Sequence, residues 1–350
     1  MTLRRSLFVA PAASLVAAAL LLTGCSSASE SAGGSSSGSS SAAGSSAAAT
    51  SAASDASGEL TIEDNNGSHT LALPFERVAV TDNRAFELLA DWGVPVVAAP
   101  LKLVPATLSD KLNESTVEAN LGSHREPDLE ALVAAEPDVV INGQRFQQYQ
   151  EDITKLVGDD VPVLTFDPRD GEDFFEELIR QTEAYGQIFG HEDDAKKVID
   201  DFNAALERAK AAYDPSQKVM AVNTSGGEIG YIAPGKGRFF GPIFTALGLT
   251  PALEVANGSS DHEGDDISVE AIADSQPDWI FIMDRDGAVG AKEGTLHGEA
   301  LVKDNAALHN VTAVKESHIV TAPEDTYTNE NLITYTEVLN QIADAFEAAK

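Results

Sequence analysis

From residue 59 to the C-terminus, short apolar runs alternate with stretches whose apolar positions recur every three or four residues. This is the pattern of α/β units built on mainly parallel strands. Residues 77–80 (RVAV) read as a strand, residues 85–93 (AFELLADWG) as a helix closed by a glycine, and the VPVVAAP that follows as the next strand. Residues 279–283 (WIFIM) are bulky and apolar at every position, which predicts a strand covered on both faces. That strand runs straight into Asp284 and Arg285, and a cation at its end needs a reason.

The pattern occurs twice. LEALVAAEPDVVINGQR (residues 129–145) matches VEAIADSQPDWIFIMDR (residues 269–285) without gaps at a constant offset of 140 positions. Glu130 pairs with Glu270, Pro137 with Pro277, Asp138 with Asp278, and Arg145 with Arg285. Two related lobes follow from the duplication. Between the repeats, residues 192–213 hold Ala195, Val198, Phe202, Leu206 and Ala209 along one helical stripe. Such a helix is roughly 33 Å long, enough to join two lobes as a strut and to favour small hinge motions over wide closure. The predicted fold is α/β, with lobes at residues 59–190 and 214–350 joined by a single long helix at 191–213.

The N-terminus reads differently. Arg4 and Arg5 precede an apolar stretch, residues 7–22, that is too short for a comfortable membrane span, and LTGC follows at 22–25. This resembles the bacterial lipobox, which implies a signal peptide at 1–24 and lipidation of Cys25. Cys25 is the only cysteine, so no internal disulfide can form. Residues 26–58 are almost wholly Ser, Ala and Gly, a tether with a typical end-to-end distance of roughly 30 Å.

Charge narrows the partners. Against 23 Lys and Arg stand 56 Asp and Glu, for a net charge of -33, which argues against nucleic acid and against an anionic lipid surface touching the folded part. Membrane contact would come through the anchor only, and an anionic ligand would need a local cluster of cations. In open α/β sheets ligands bind beyond the carboxyl ends of the strands, so two facing lobes would aim Arg145 and Arg285 into one cleft. Arg238 lies in a Gly- and Pro-containing loop before an apolar helix, in IAPGKGRFFGPIFTALGL, and helix N-termini also favour anions. Arg84 falls within one position of Arg238 when the glycines that end the two helices are aligned; a surface position and a site position are both open to it. For each arginine alone, a surface ion pair is the simpler reading.

With the lipobox, the tether, the repeated P-D-strand-Arg units, PGKGRFFG, SSDHEGDDIS and VTAPEDTYTNENL in view, the chain resembles the type III substrate-binding lipoproteins of bacterial ABC importers. The branch that captures catecholate-type ferric siderophores is the nearest in pattern, and the resemblance spans residues 59–350. It implies a monomeric receptor with no intrinsic cofactor, a ferric siderophore as ligand and an ABC permease as partner. It implies an arginine triad at Arg145, Arg238 and Arg285. It also implies that His262 and Tyr327 can bind iron directly when the siderophore leaves two sites open. A phenolate and an imidazole suit Fe(III), although a solvated acidic loop for His262 and a packed aromatic for Tyr327 are the simpler alternatives. Glu130 and Glu270 would dock the permease, or would only complement helix dipoles. One departure stands out: Gln144 occupies the position before the first arginine where the family carries glycine.

Arginine suits such a ligand because it stays protonated and can hydrogen-bond the donor oxygens without competing for iron. At about 5 Å and an effective dielectric near 20, each charge pair is worth roughly 3 kcal/mol before desolvation. A haem receptor using Tyr327 and His262 is the alternative within the fold, and it would need an apolar slot. An enzyme is disfavoured, since no G-x-S-x-G, H-E-x-x-H or cysteine nucleophile is present in the folded part. The seven histidines lack zinc-like spacing.

Overall fold

The computed structural model describes residues 58–350. The predicted signal peptide at 1–24, Cys25 with its lipidation, and the tether up to residue 57 lie outside the described residues.

A hairpin of β1 (Gly58–Asp64) and β2 (Gly67–Leu73) leads into the first sheet. That sheet holds β3 (Val78–Val80), β4 (Val96–Ala99) and β5 (Ala119–Asn120). After a two-stranded ribbon, β6 (Gly122–Ser123) with β7 (Glu126–Pro127), come β8 (Val139–Asn142) and β9 (Val163–Thr165). The order is β5-β4-β3-β8-β9 and every pairing is parallel, as the alternating pattern predicts. Helices α1 (Phe86–Asp91), α2 (Leu129–Ala134) and α3 (Gln150–Val157) connect these strands.

Two long helices carry the chain onward. In α4 (Phe174–Phe189), Tyr185 and Ile188 pack into the first lobe's core while Phe175 and Leu178 pack into the second's. The predicted strut is α5 (Glu192–Ala212), which lies beside α4 and buries Phe202, Ala205 and Ala209 in the second core. The lobes are thus braced by a helix pair whose apolar stripes reach both cores.

The second sheet contains β10 (Lys218–Ser225), β11 (Glu228–Tyr231), β12 (Thr250–Pro251), β13 (Trp279–Asp284) and β14 (Ile319–Thr321). Its main path is β11-β10-β13-β14, antiparallel only at β11. Around it lie α6 (Phe240–Leu247), α7 (Val269–Ser275), α8 (Arg285–Val289), α9 (Gly298–Lys303), α10 (Thr312–Lys315) and α11 (Leu332–Ala348). Every residue of β13 is buried. Trp279, Phe281 and Met283 enter the core shared with α5, α6 and α11, and Ile280 and Ile282 enter the core on the other face. Two tryptophans stack on histidines: Trp279 on His318 at 4.3 Å between ring centroids, and Trp92 on His191 at 5.4 Å.

The duplication has a structural meaning. Asp128 caps α2 and Ser268 caps α7, each accepting a backbone N–H three residues on. The carboxylate of Asp138 accepts the backbone N–H of Arg77 at 3.0 Å, tying β8 to the start of β3. Asp278 accepts that of Lys218 at 2.7 Å, tying β13 to β10. The same two features, a capped helix and an aspartate tie, set each strand so that an arginine leaves its carboxyl end.

Candidate functional site

Three arginines surround one aromatic ring. Tyr327 ends a short 3-10 turn after β14 and is 3% exposed. The guanidinium carbons of Arg238, Arg145 and Arg285 lie 4.4, 5.4 and 5.5 Å from its ring centroid. Arg145 follows β8, Arg285 follows β13, and Arg238 precedes α6, so the cluster draws on the strand ends of both lobes. This is the reason for the cation at the end of the WIFIM strand.

Hydrogen bonds aim the cluster. Arg238 donates through Nη2 to the carbonyl oxygen of Tyr327 at 2.7 Å. Arg285 donates through Nε to the Tyr327 hydroxyl at 3.3 Å and through Nη1 to Ser225 Oγ at 3.0 Å. Each cation over the ring gains about 0.5–2 kcal/mol, partly offsetting the repulsion among the three. Burial, and next the charge of Arg238, lowers the Arg145 pKa from its ordinary value, but arginine starts high enough to stay charged at neutral pH. Beside the cluster opens a cavity of about 740 Å³ lined by Arg145, Arg238, Lys236, Arg169, Phe174 and Ser260, among others. That volume is in the range of small-molecule sites.

Beneath the cavity lies a buried ionic seam. Arg84 is 9% exposed and donates to Asp167 Oδ1 at 3.2 Å and to Glu330 Oε2 at 2.8 Å, so its charge is matched by one carboxylate from each lobe. The segment holding Tyr327 is fastened to the first lobe at further points. Asn83 Nδ2 donates to the Thr328 carbonyl at 3.3 Å, Glu87 accepts from Asn329 and Asn331 at 2.8 and 2.9 Å, and Thr107 donates to Asp325 at 2.6 Å. Gly143 sits where a Cβ would lie 2.8 Å from Asp82 Cγ and 3.1 Å from Asp167 Oδ1, so a side chain there would displace the Asp82 carboxylate.

The carboxyl of Asp167 is pushed up to about 7, by burial first and then by the charge of Asp82. An acid whose pKa is raised by folding stabilises the fold while protonated in both states and loses that contribution as it ionises. Stability from this group is therefore full below about pH 4 and lost as pH rises through about 7. Replacing Asp167 with Asn is expected to flatten the fall in melting temperature between those limits; an unchanged profile would mean that another group carries it.

The sequence candidates fall into place unevenly. Arg145, Arg238, Arg285 and Tyr327 come together. Arg84 lines the cavity from below, with its charge already paired. His262 is exposed on the acidic loop; its Nε2 lies 3.9 Å from Glu263, which in turn lies 3.6 Å from Arg285 Nη1. Glu130 and Glu270 are exposed in the first turns of α2 and α7, on helices that precede the site strands. Gln144, where glycine was expected, adopts φ 45°, the left-handed conformation that glycine takes at no cost. Glu330, Asp82 and Asp167 carry no local sequence signal, and Lys236 of PGKGR joins the cavity wall beside Arg238.

The comparisons with known proteins agree with this architecture. The petrobactin-binding protein YclQ of Bacillus subtilis is 25% identical over 289 residues, 81% of this chain and 86% of that protein. The ferric-anguibactin-binding protein FatB of Vibrio anguillarum is 25% identical over 296 residues, 83% and 88% of the two chains. The crystal structure of YclQ superposes with a TM-score of 0.70 at 22% identity, over 83% of this chain and 99% of that one. That of Bacillus subtilis FeuA with ferri-bacillibactin superposes at 0.62 and 19% identity, over 83% and 98%. Among the described residues no helix is long and apolar enough to cross a membrane. With a match to the family model over residues 78–326, which takes in both sheets and all three clustered arginines, this chain belongs to the periplasmic binding protein family.

Proposed function

We propose that the protein is an extracytoplasmic receptor that binds a ferric siderophore of catecholate type in the arginine-lined cleft and delivers it to the permease of an ABC importer. The observation that carries this reading is the convergence of Arg145, Arg238 and Arg285 on Tyr327 in a chain of net charge -33. A strongly acidic protein gathers cations from two lobes at one cavity when the ligand is an anion. A ferric triscatecholate carries three negative charges on oxygens that already bind iron, and guanidinium groups meet those oxygens without displacing the metal. Relatives named for petrobactin and ferric anguibactin support the same ligand class. His262 and Tyr327 serve as iron donors when the siderophore supplies fewer than six, and as hydrogen-bonding walls otherwise.

Calorimetric titration of the purified protein with a ferric triscatecholate, a ferric tetradentate biscatecholate, a ferric hydroxamate and haemin tests the reading. Tight binding confined to the catecholates is expected; binding of haemin alone, or of no member, would overturn it.

Two further results are expected in cells. Cys25 in its LTGC context anchors the receptor through lipid, so Cys25→Ala is expected to move the protein out of the membrane fraction, and retention there would refute lipidation. Glu130 and Glu270 dock the permease from equivalent, exposed places on the two lobes. Replacing both is expected to abolish uptake with ligand affinity unchanged, whereas normal uptake would leave them only a helix-dipole role.

A further inference from the structure

Glu330 sits between the chain neighbours of two of the three site arginines, one in each lobe. It is 6% exposed and directly precedes Asn331, whose side chain caps α11 by accepting the N–H groups of Ile333 and Thr334. On the first-lobe side its carboxylate accepts from Arg84 Nη2 at 2.8 Å and from Gln144 Nε2 at 3.3 Å, and Gln144 is the residue before Arg145. On the second-lobe side it faces the backbone of Phe239, the residue after Arg238. The hydroxyl of Tyr335 bridges the same place, 3.2 Å from the Phe239 carbonyl and 3.5 Å from Glu330 Oε1.

Both neighbours carry strain. Gln144 has φ 45° and Phe239 has φ 59°, conformations that side-chain-bearing residues hold only when their surroundings fix them. The Gln144 amide supplies the contact to Glu330 that a glycine there could not make. Phe239 is held from the other side by a parallel stack on Tyr335 at 4.3 Å. The Glu330 carboxylate, through the Gln144 amide on one side and the Tyr335 hydroxyl on the other, thus links the two strained residues that aim Arg145 and Arg238.

We infer that Glu330 is a positioning residue which, with Gln144, sets the separation of Arg145 and Arg238 across the cleft and thereby selects among ferric complexes of different size and shape. The inference rests on the ferric-siderophore reading and adds to it the device that tunes specificity. A buried counter-charge would act differently: its removal would tighten every anionic complex by one common factor, and the uncharged Gln144 would have no part in it.

The test measures dissociation constants of the wild type, Glu330→Gln, Gln144→Gly and the double variant for two probes, a hexadentate ferric tris-catecholamide and a tetradentate ferric bis-catecholamide. Each single change is expected to shift the ratio of the two constants by at least about fivefold, as for groups in one network. The double variant should shift it no further than the larger single. Gln144→Gly relaxes its own backbone and leaves charge unchanged, so it reads positioning even if Glu330→Gln folds poorly. A wild type that binds, with variants that keep its ratio or move both constants by one common factor, would overturn the positioning role alone. A wild type that binds neither probe would overturn the ferric-siderophore reading and the positioning role together.

Discussion

Replacing Arg145 with alanine is expected to weaken a ferric catecholate by at least about tenfold, while thermal unfolding stays unchanged or moves slightly upward. The gross attraction of one guanidinium for the ligand is roughly 3 kcal/mol at about 5 Å and an effective dielectric near 20, and retaining half of it after desolvation gives about a tenfold effect. Stability should not fall because Arg145 is held against burial and against Arg238, both of which disfavour its charge. Removing it relieves repulsion. Arg285→Ala is expected to act alike on affinity, although its bonds to Tyr327 and Ser225 make some loss of stability expected as well. Calorimetry for affinity and differential scanning for stability separate the two effects. Unchanged affinity in both variants would remove the cleft from consideration.

Arg84→Ala is expected to give a large loss of stability. Its side chain is 11% exposed and stands between those of Asp167 and Glu330, 8% and 7% exposed, so its loss strands two carboxyl groups away from water. Breaking a buried ionic arrangement by removing one partner costs about 3–5 kcal/mol. For a domain of this size that corresponds to a fall in melting temperature of roughly 10 °C. The fall should be smaller at pH 5 than at pH 8, since Asp167, pushed up to about 7, takes a proton in the acidic range. A loss below about 1 kcal/mol, or one independent of pH, would mean that the seam relaxes or hydrates when the cation is gone.

The parts legible in the sequence were those with a local cause. The apolar run at 279–283 could only be a doubly covered strand, and the Asp138 and Asp278 repeat fixed the strand starts, so the exits of Arg145 and Arg285 were legible from spacing. Arg238 was legible from its loop. The acidic seam was not. Nothing local distinguishes Asp82, Asp167 and Glu330 from the other acids of a chain with 56 of them, because what buries them comes from far away. Arg84 meets Asp167 across 83 positions and Glu330 across 246. The same distance kept Arg84 undecided between surface and site. Gln144 is legible as a departure from the family pattern, but the partner of its amide, Glu330, lies 186 positions away.

The two stacked tryptophans have a spectroscopic consequence. Trp279 opens β13 and Arg285 follows its last residue, so at the rise of a strand the indole lies roughly 20 Å from the cluster it helps to hold. Trp92, stacked on His191, is likewise absent from the cavity wall. Neither indole touches what enters the cleft. Their emission would therefore be dimmed by resonance energy transfer into the ligand-to-metal absorption of an iron complex, whereas a colourless gallium(III) analogue of equal charge and shape would bind while leaving the fluorescence nearly intact.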